Sequence, residues 1–211
     1  MELSRSDALL GRIAQHLLPR FPGIFSIETV ERYVAESYAS LARGARVQQH
    51  LFTLTERLAE ERLTALAQSR GEMGKPVSEV LFVCTHNAGR SQMAAALMRH
   101  HAAGQVHVRT AGTHPAPEIE PTVIEALTLM GITTLTDFPK PLTDEVVLAA
   151  DVIVSMGCGD ACPIHPGKRY LNWDFIDTRG KSLDEVHDLC MMIDLMVRDL
   201  LDELIPQTAG Q

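Results

Sequence analysis

A chain of 211 residues with a formal net charge of −8 has room for one large domain or two small ones. The charge is uneven: residues 1–75 carry ten basic and nine acidic side chains, and residues 76–211 carry nine and eighteen. Neither part has the basic surplus of a nucleic-acid binder, no apolar run approaches membrane-spanning length, and four cysteines are too few for a disulfide scaffold. The first residues lack the basic-then-apolar pattern of a secretory signal, so a cytoplasmic location with reduced thiols is expected, with no membrane and no nucleic-acid partner.

Residues 1–75 predict helices only. Leu9, Leu10, Ile13 and Leu17 share one face of a helix from about Arg5 to Leu18, which Pro19 and Pro22 end. Ser26 is positioned to cap a second helix carrying Val30, Tyr33, Val34 and Leu41. A third, from about Val47 to Ser69, repeats Leu51, Leu54, Leu58 and Leu66. Short loops between amphipathic helices predict a small three-helix bundle, a module for a protein contact. A DNA-binding helix-turn-helix is the sharper reading, and the near-zero charge opposes it. His16 and His50 are isolated and read as surface residues. Gly71, Gly74 and Pro76 mark a linker, giving domains 1–75 and 76–211.

The next stretch is the most informative. Val80 to Val83 is a short β-branched run that predicts a buried strand, and Cys84 stands where it ends. Asn87 and Gly89 let the backbone turn, and strong helix formers follow from Ser91, with Met93, Leu97 and Met98 at helical spacing. A loop running into a helix N-terminus points backbone N–H groups inward, and the helix dipole adds positive potential. Thr85, His86, Asn87, Ala88 and Gly89 therefore predict a cradle for a tetrahedral oxyanion, and Arg90 adds a two-pronged contact. The same field favours the thiolate of Cys84, a nucleophile to which Ser91 can donate a hydrogen bond. The bland reading is a packed cysteine ending a core strand, beside a solvated arginine. Strand, Asn, Ser and helix together favour the catalytic one.

Further on, Val106–Thr110 alternates as a strand ended by Ala111-Gly112, and His114-Pro-Ala-Pro117 reads as a loop. Pro121 to Met130 predicts a helix stopped by Gly131, and Thr143 a helix cap. Asp151–Ser155 and Lys168–Trp173 are two more strands, and Ser182-Leu-Asp-Glu185 is a capping box opening the last helix. Alternating strands and helices predict an α/β domain, a four-stranded parallel sheet with helices on both faces. Sites in such sheets form at the carboxyl ends of strands, where Cys84 and the segments after Ser155 and Trp173 all fall. Cys158 and Cys162, after Ser155, bring the thiols at that edge to three. They read as a relay in which successive thiolates resolve a disulfide; a zinc site with His165 is the alternative and lacks a fourth ligand. Cys190 sits in the apolar stripe of the last helix and reads as inert packing.

Cys84-Thr-His-Asn-Ala-Gly-Arg90-Ser91 resembles the active-site loop of the low-molecular-weight protein tyrosine phosphatase superfamily. Arg90-Ser-Gln-Met-Ala94 and Thr110-Ala-Gly-Thr113 are more similar to its thioredoxin-coupled arsenate reductase branch. The resemblance runs from about Val80 to Leu204 and leaves out the first seventy-odd residues. It implies arsenate as substrate, thioredoxin as reductant, two relay cysteines after the third strand, no metal and no cofactor. It also implies an Asp acting as general acid after the fourth strand. Asp177 matches it, with Thr178 where Pro is usual; Asp174 competes but precedes the loop proper. The phosphatases commonly carry Cys where Gly89 stands and Pro-Tyr where Thr178-Arg179 stands. Some relatives hold potassium beside the loop with acidic side chains; Ala95 stands for one of these, and the Lys140 ammonium falls near another. A phosphatase and a thiol-based metalloid or zinc sensor are the competing functions.

Overall fold

The computed structural model describes residues 5–44, 50–132, 137–157 and 164–205. The chain divides into two compact units, Met1–Gly74 and Lys75–Gln211.

In the first unit, α1 (Arg5–Leu17) passes into a 3₁₀ turn (Leu18–Arg20), and α2 (Ile27–Gly44) and α3 (Leu51–Ser69) complete a three-helix layer. Proline in the 3₁₀ turn ends α1, as its missing N–H requires. The Ser26 hydroxyl accepts from the Thr29 N–H at 3.4 Å, so it caps α2. Leu17, Phe21, Val30, Val34 and Leu63 bury together. Arg62, mostly buried, donates to Glu36 at 2.9 Å and lies 4.6 Å from the centre of the Tyr33 ring. The predicted start of α3 near Val47 lies outside the described residues.

In the second unit, β1 (Ser78–Cys84), β2 (Val106–Gly112), β3 (Val152–Ser155) and β4 (Arg169–Asn172) form one parallel sheet ordered β2-β1-β3-β4. β1 is central, which explains why its side chains are buried on both faces and why it reads as a continuous apolar run. β2 extends two residues past the predicted end and pairs Gly112 with Cys84. α4 (Arg90–Ala102), α5 (Pro121–Leu129) and α7 (Leu183–Leu204) pack together, and α6 (Asp144–Ala149) packs on β1. Val80, Phe82, Val108 and Val154 meet Met93, Leu97, Leu127 and Ile193 in the core, where the Phe82 and Trp173 rings lie 5.6 Å apart. The sheet is the α/β architecture expected from the alternating pattern. Thr143 occupies the N-cap position of α6, but its hydroxyl makes no capping bond and has no partner among the described residues.

The capping box at α7 is complete. The Ser182 hydroxyl accepts from the Glu185 N–H, and the Glu185 carboxylate accepts from the Ser182 N–H. That backbone bond, helped by Lys181 and the Ser182 hydroxyl, pulls Glu185 from 4.5 down to about 2. A carboxyl with a depressed folded-state pKa stabilises above its unfolded value and loses that contribution as pH falls through the folded one. Glu185→Ala, which removes that carboxylate, is expected to lower stability at neutral pH. Urea unfolding measured at neutral pH and near pH 2 checks this: the difference from wild type should shrink in acid, and an unchanged midpoint at neutral pH would contradict it.

Candidate active site

The Cys84 loop is shaped by what its carbonyls bond to. Cys84 O accepts from the Thr113 N–H (3.3 Å), Thr85 O from His114 (2.7 Å), His86 O from Ala116 (2.8 Å) and Ala88 O from Glu120 (3.0 Å). Asn87 O accepts from the Gln92 side chain at 3.0 Å. No described peptide is cis, so each carbonyl points opposite to the next residue's N–H. The N–H groups of Thr85, His86, Asn87 and Gly89 therefore turn away from the bracing segment, and that of Ala88 turns away from Gln92. The Asn87 N–H reaches Cys84 Sγ at 3.2 Å. Pro115 and Pro117, which have no N–H, fall between the donors, so the brace loses no bond.

Asn87 fixes the direction of a second chain of bonds. It takes a left-handed backbone, φ +49°, which asparagine tolerates better than most residues. Its Oδ1 accepts from the Lys140 N–H at 2.8 Å, a group that can only donate. Its Nδ2 must then donate to Ser91 Oγ, 2.9 Å away. The Ser91 proton is left to point at Cys84 Sγ, also 2.9 Å away. The sulfur is nearly closed off from solvent, and two donors meet it at the N-terminus of α4. Both donors are aimed at the sulfur, as a nucleophile in this position requires.

Arg90 opens α4 and is 7 % exposed. It donates to Phe175 O at 3.0 Å and to the Asp177 carboxylate at 3.1 Å. Asp177 also accepts from the Arg179 backbone N–H (2.9 Å) and guanidinium (3.1 Å). Burial raises the Asp177 pKa, but Arg179 and Arg90 outweigh it and hold the carboxyl below its ordinary range. Arg179 donates to His86 Nε2 at 3.3 Å. Burial first, then the Arg179 charge, lowers the His86 pKa, so its ring is neutral at pH 7.

Three glycines are required by close approach. A Cβ at Gly112 would stand 2.9 Å from both Asn87 Cβ and Thr85 O, and one at Gly89 would stand 2.0 Å from Thr178 Oγ1. At Gly157 the backbone is left-handed, φ +76°, and a Cβ would lie 2.4 Å from Arg90 Nη1. Thr85 Oγ1 donates to Gly157 O at 3.0 Å.

Cys84, Thr85, His86, Asn87, Ala88, Gly89, Arg90 and Ser91 thus form one loop, and Asp177 reaches its arginine. The competing Asp174 is exposed. Cys158 and Cys162 lie outside the described residues, so the relay pair and the zinc alternative both fall there. Among the described residues, no three His, Cys, Asp or Glu side chains are grouped to hold a metal. Cys190 is fully buried, and burial, with Asp194 nearby, pushes its thiol up to about 12. Lys140 is buried, with Nζ 3.4 Å from Asp137 and 5.0 Å from the Phe138 ring centre. Burial opposes ionisation of Asp137, yet Lys140 and Arg99 overcome it and lower its pKa.

Sequence reasoning missed Gln92 and the bracing segment. Gln92 is 2 % exposed and also reaches Phe138 O. A glutamine among alanines and methionines in a first helical turn was the available signal. The brace at residues 113–120 carried none, because it acts through its backbone.

The chain matches two family models: "Protein-tyrosine-phosphatase-like, N-terminal domain" over residues 10–67 and "Low molecular weight phosphotyrosine protein phosphatase" over residues 79–208. It is similar to the structure of the thioredoxin-dependent arsenate reductase of Corynebacterium glutamicum, at 46 % identity and a TM-score of 0.84, covering 93 % of this chain and 96 % of that one. The protein-arginine-phosphatase of Bacillus subtilis is 37 % identical over 151 residues, 63 % of this chain and 95 % of its own. Arsenate reductase 2 of Staphylococcus saprophyticus subsp. saprophyticus is 32 % identical over 112 residues, 50 % of this chain and 82 % of its own. With the phosphatase model spanning more than half its length, the chain belongs to the low molecular weight phosphotyrosine protein phosphatase family.

Proposed function

We propose that this protein is an arsenate reductase whose Cys84 thiolate attacks arsenic and whose Cys158 and Cys162 carry the resulting disulfide outward, to be reduced by thioredoxin. The observation that carries this reading is the braced cradle. The loop carbonyls are bonded outward, the Asn87 N–H and Ser91 Oγ meet the Cys84 sulfur, and Arg90 opens the helix that follows. The likeness to the thioredoxin-dependent arsenate reductase over nearly the whole of both chains supports the chemistry.

Arsenate is held by the loop N–H groups and Arg90. The Cys84 sulfur bonds to As(V) and an As–O bond breaks; Asp177, ionised while paired with Arg90, takes up a proton as the bound anion competes for that arginine and its negative charge lies alongside, and passes the proton on so that the oxygen leaves as water. The Cys158 thiolate then attacks Cys84. The S–As electron pair stays on arsenic, As(III) departs as arsenite, and a Cys84–Cys158 disulfide remains. Cys162 attacks Cys158 and frees Cys84. Gly157, against Arg90, is joined directly to Cys158, which supports Cys158 as the first resolving thiol. Cys158 must reach first Cys84 and then Cys162, the latter with Cα atoms within about 7 Å, so a change of conformation between Gly157 and Pro163 is expected in the cycle. A dithiol reductant such as thioredoxin reduces that bond and restores the enzyme.

Arsenate-dependent NADPH consumption in the presence of thioredoxin and its reductase tests the reading, beside hydrolysis of a phosphotyrosine and a phosphoarginine substrate and a metal analysis. Efficient phosphoester or phosphoarginine hydrolysis without arsenate turnover would favour the phosphatase reading, and stoichiometric zinc without turnover the sensor. The near-neutral helical bundle is read as a protein-contact module, and a cytoplasmic location matches the reduced thiols that the relay uses.

Lys140 bears on cation dependence. Its buried ammonium is paired with Asp137, and its own backbone N–H orients Asn87. We infer that it does the work of the potassium ion found beside this loop in some relatives. Turnover in potassium and in sodium buffers of equal ionic strength should be alike, and a several-fold stimulation by potassium would contradict this.

A further inference from the structure

The residue after Asp177 is tied to the Cys84 loop in two ways. Thr178 is buried, and its hydroxyl donates to the Glu120 carboxylate at 3.0 Å. The same hydroxyl fills the space where a Cβ on Gly89 would stand. Glu120 donates its backbone N–H to Ala88 O at 3.0 Å. Thr178 therefore rests on one loop residue and is bonded, through Glu120, to the residue before it.

Two other links join this segment to the loop: Arg179, which bonds both Asp177 and His86, and Arg90, for which substrate competes. Arg90 donates to Phe175 O and Asp177 through Nη1 and Nη2, the two nitrogens that a two-pronged contact with a tetrahedral oxyanion would use. An anion in the cradle competes with the 175–177 segment for Arg90 at the moment the acid is needed. The Thr178–Glu120 bond and the seat on Gly89 do not involve Arg90 and persist through that exchange.

We propose that Thr178 and Glu120 are positioning residues, a latch seated on Gly89 that keeps the Asp177 carboxyl within reach of the departing oxygen. The latch rests on Asp177 being the general acid of the proposed reaction. It also joins the two departures from the phosphatase pattern into one feature. Any side chain at 89 needs the space of the Thr178 hydroxyl, so Gly89 and Thr178 go together.

Single-turnover arsenite release after one equivalent of arsenate, together with the inhibition constant of inorganic phosphate, tests this. A well-placed acid contributes about 10²–10⁴-fold, so partial misplacement in Thr178→Val or Glu120→Ala should slow release about tenfold. Phosphate inhibition should be unchanged, because the cradle and Arg90 are intact. Thr178→Ser keeps the hydroxyl and should restore the rate. Gly89→Ala should weaken phosphate binding, and Gly89→Ala with Thr178→Gly should recover it. A wild-type rate in Thr178→Val, or an equal loss of rate and phosphate binding, overturns the latch. Asp177→Asn separates the two levels. If it is slow while Thr178→Val is fast, only the latch fails; if it is fast, the assignment of the acid fails and the latch with it.

Discussion

Cys84→Ser is expected to release no arsenite above background, a loss of at least about 10⁴-fold. The substitution is nearly isosteric, and an oxygen at this position keeps its bonds to Ser91 and the Asn87 N–H. The cradle should still bind phosphate. What is lost is the nucleophilic sulfur: a hydroxyl in the same place is a far weaker nucleophile at neutral pH, where no alkoxide forms. Arg90→Ala should lower turnover about 10²–10³-fold, since the charge developing on the oxyanion loses its strongest donor. It should also raise the arsenate concentration needed, which Cys84→Ser should not. Arg90→Lys should recover little, because a point charge cannot replace a planar fork held by Phe175 O on one side and Gly157 on another. Rapid-quench measurement of arsenite and phosphate binding to each variant check these results. Near-wild-type single-turnover activity of Cys84→Ser would remove the assignment of the nucleophile.

The relay variants should lose multiple turnover at different stages. Cys162→Ser is expected to release one arsenite per chain and stop with Cys84 bonded to Cys158, since nothing resolves that disulfide. Cys158→Ser should stop earlier, with arsenic still on Cys84, unless an external thiol resolves it. Cys190→Ser should turn over normally. Its thiol is fully buried in the core, and burial pushes it up to about 12, so it has neither access nor a thiolate near pH 7. Mass spectrometry of alkylated peptides after one equivalent of arsenate identifies the bonded pair. A Cys84–Cys162 bond in the enzyme with Cys158 intact would reverse the order, and a bond to Cys190 would return that residue to the mechanism.

Much of this protein is legible as sequence because the signals are local. β1 reads as a strand because it is central and apolar on both faces, and the capping box of α7 is written in four consecutive residues. The cysteine, the arginine and the helix formers that follow state an anion site, since a strand, a tight loop and a helix N-terminus occur within one short stretch. The helices of the first unit follow from leucine spacing, and the α/β class from the alternation of the two periodicities.

Tertiary structure decided how that loop is held. The carbonyls of Cys84, Thr85, His86 and Ala88 bond to backbone N–H groups of residues 113–120, and a backbone donor leaves no mark on residue identity. The orientation of Asn87, and through it the direction of the Ser91 proton, depends on the N–H of Lys140, more than fifty positions away. The need for glycine at 89 became clear only when Thr178 was seen to occupy its Cβ position. A sequence states which side chains carry chemistry, because their types are scarce and their spacing is local. It does not state which distant backbone groups aim them, because every residue except proline offers the same donor and the fold alone selects which ones are used.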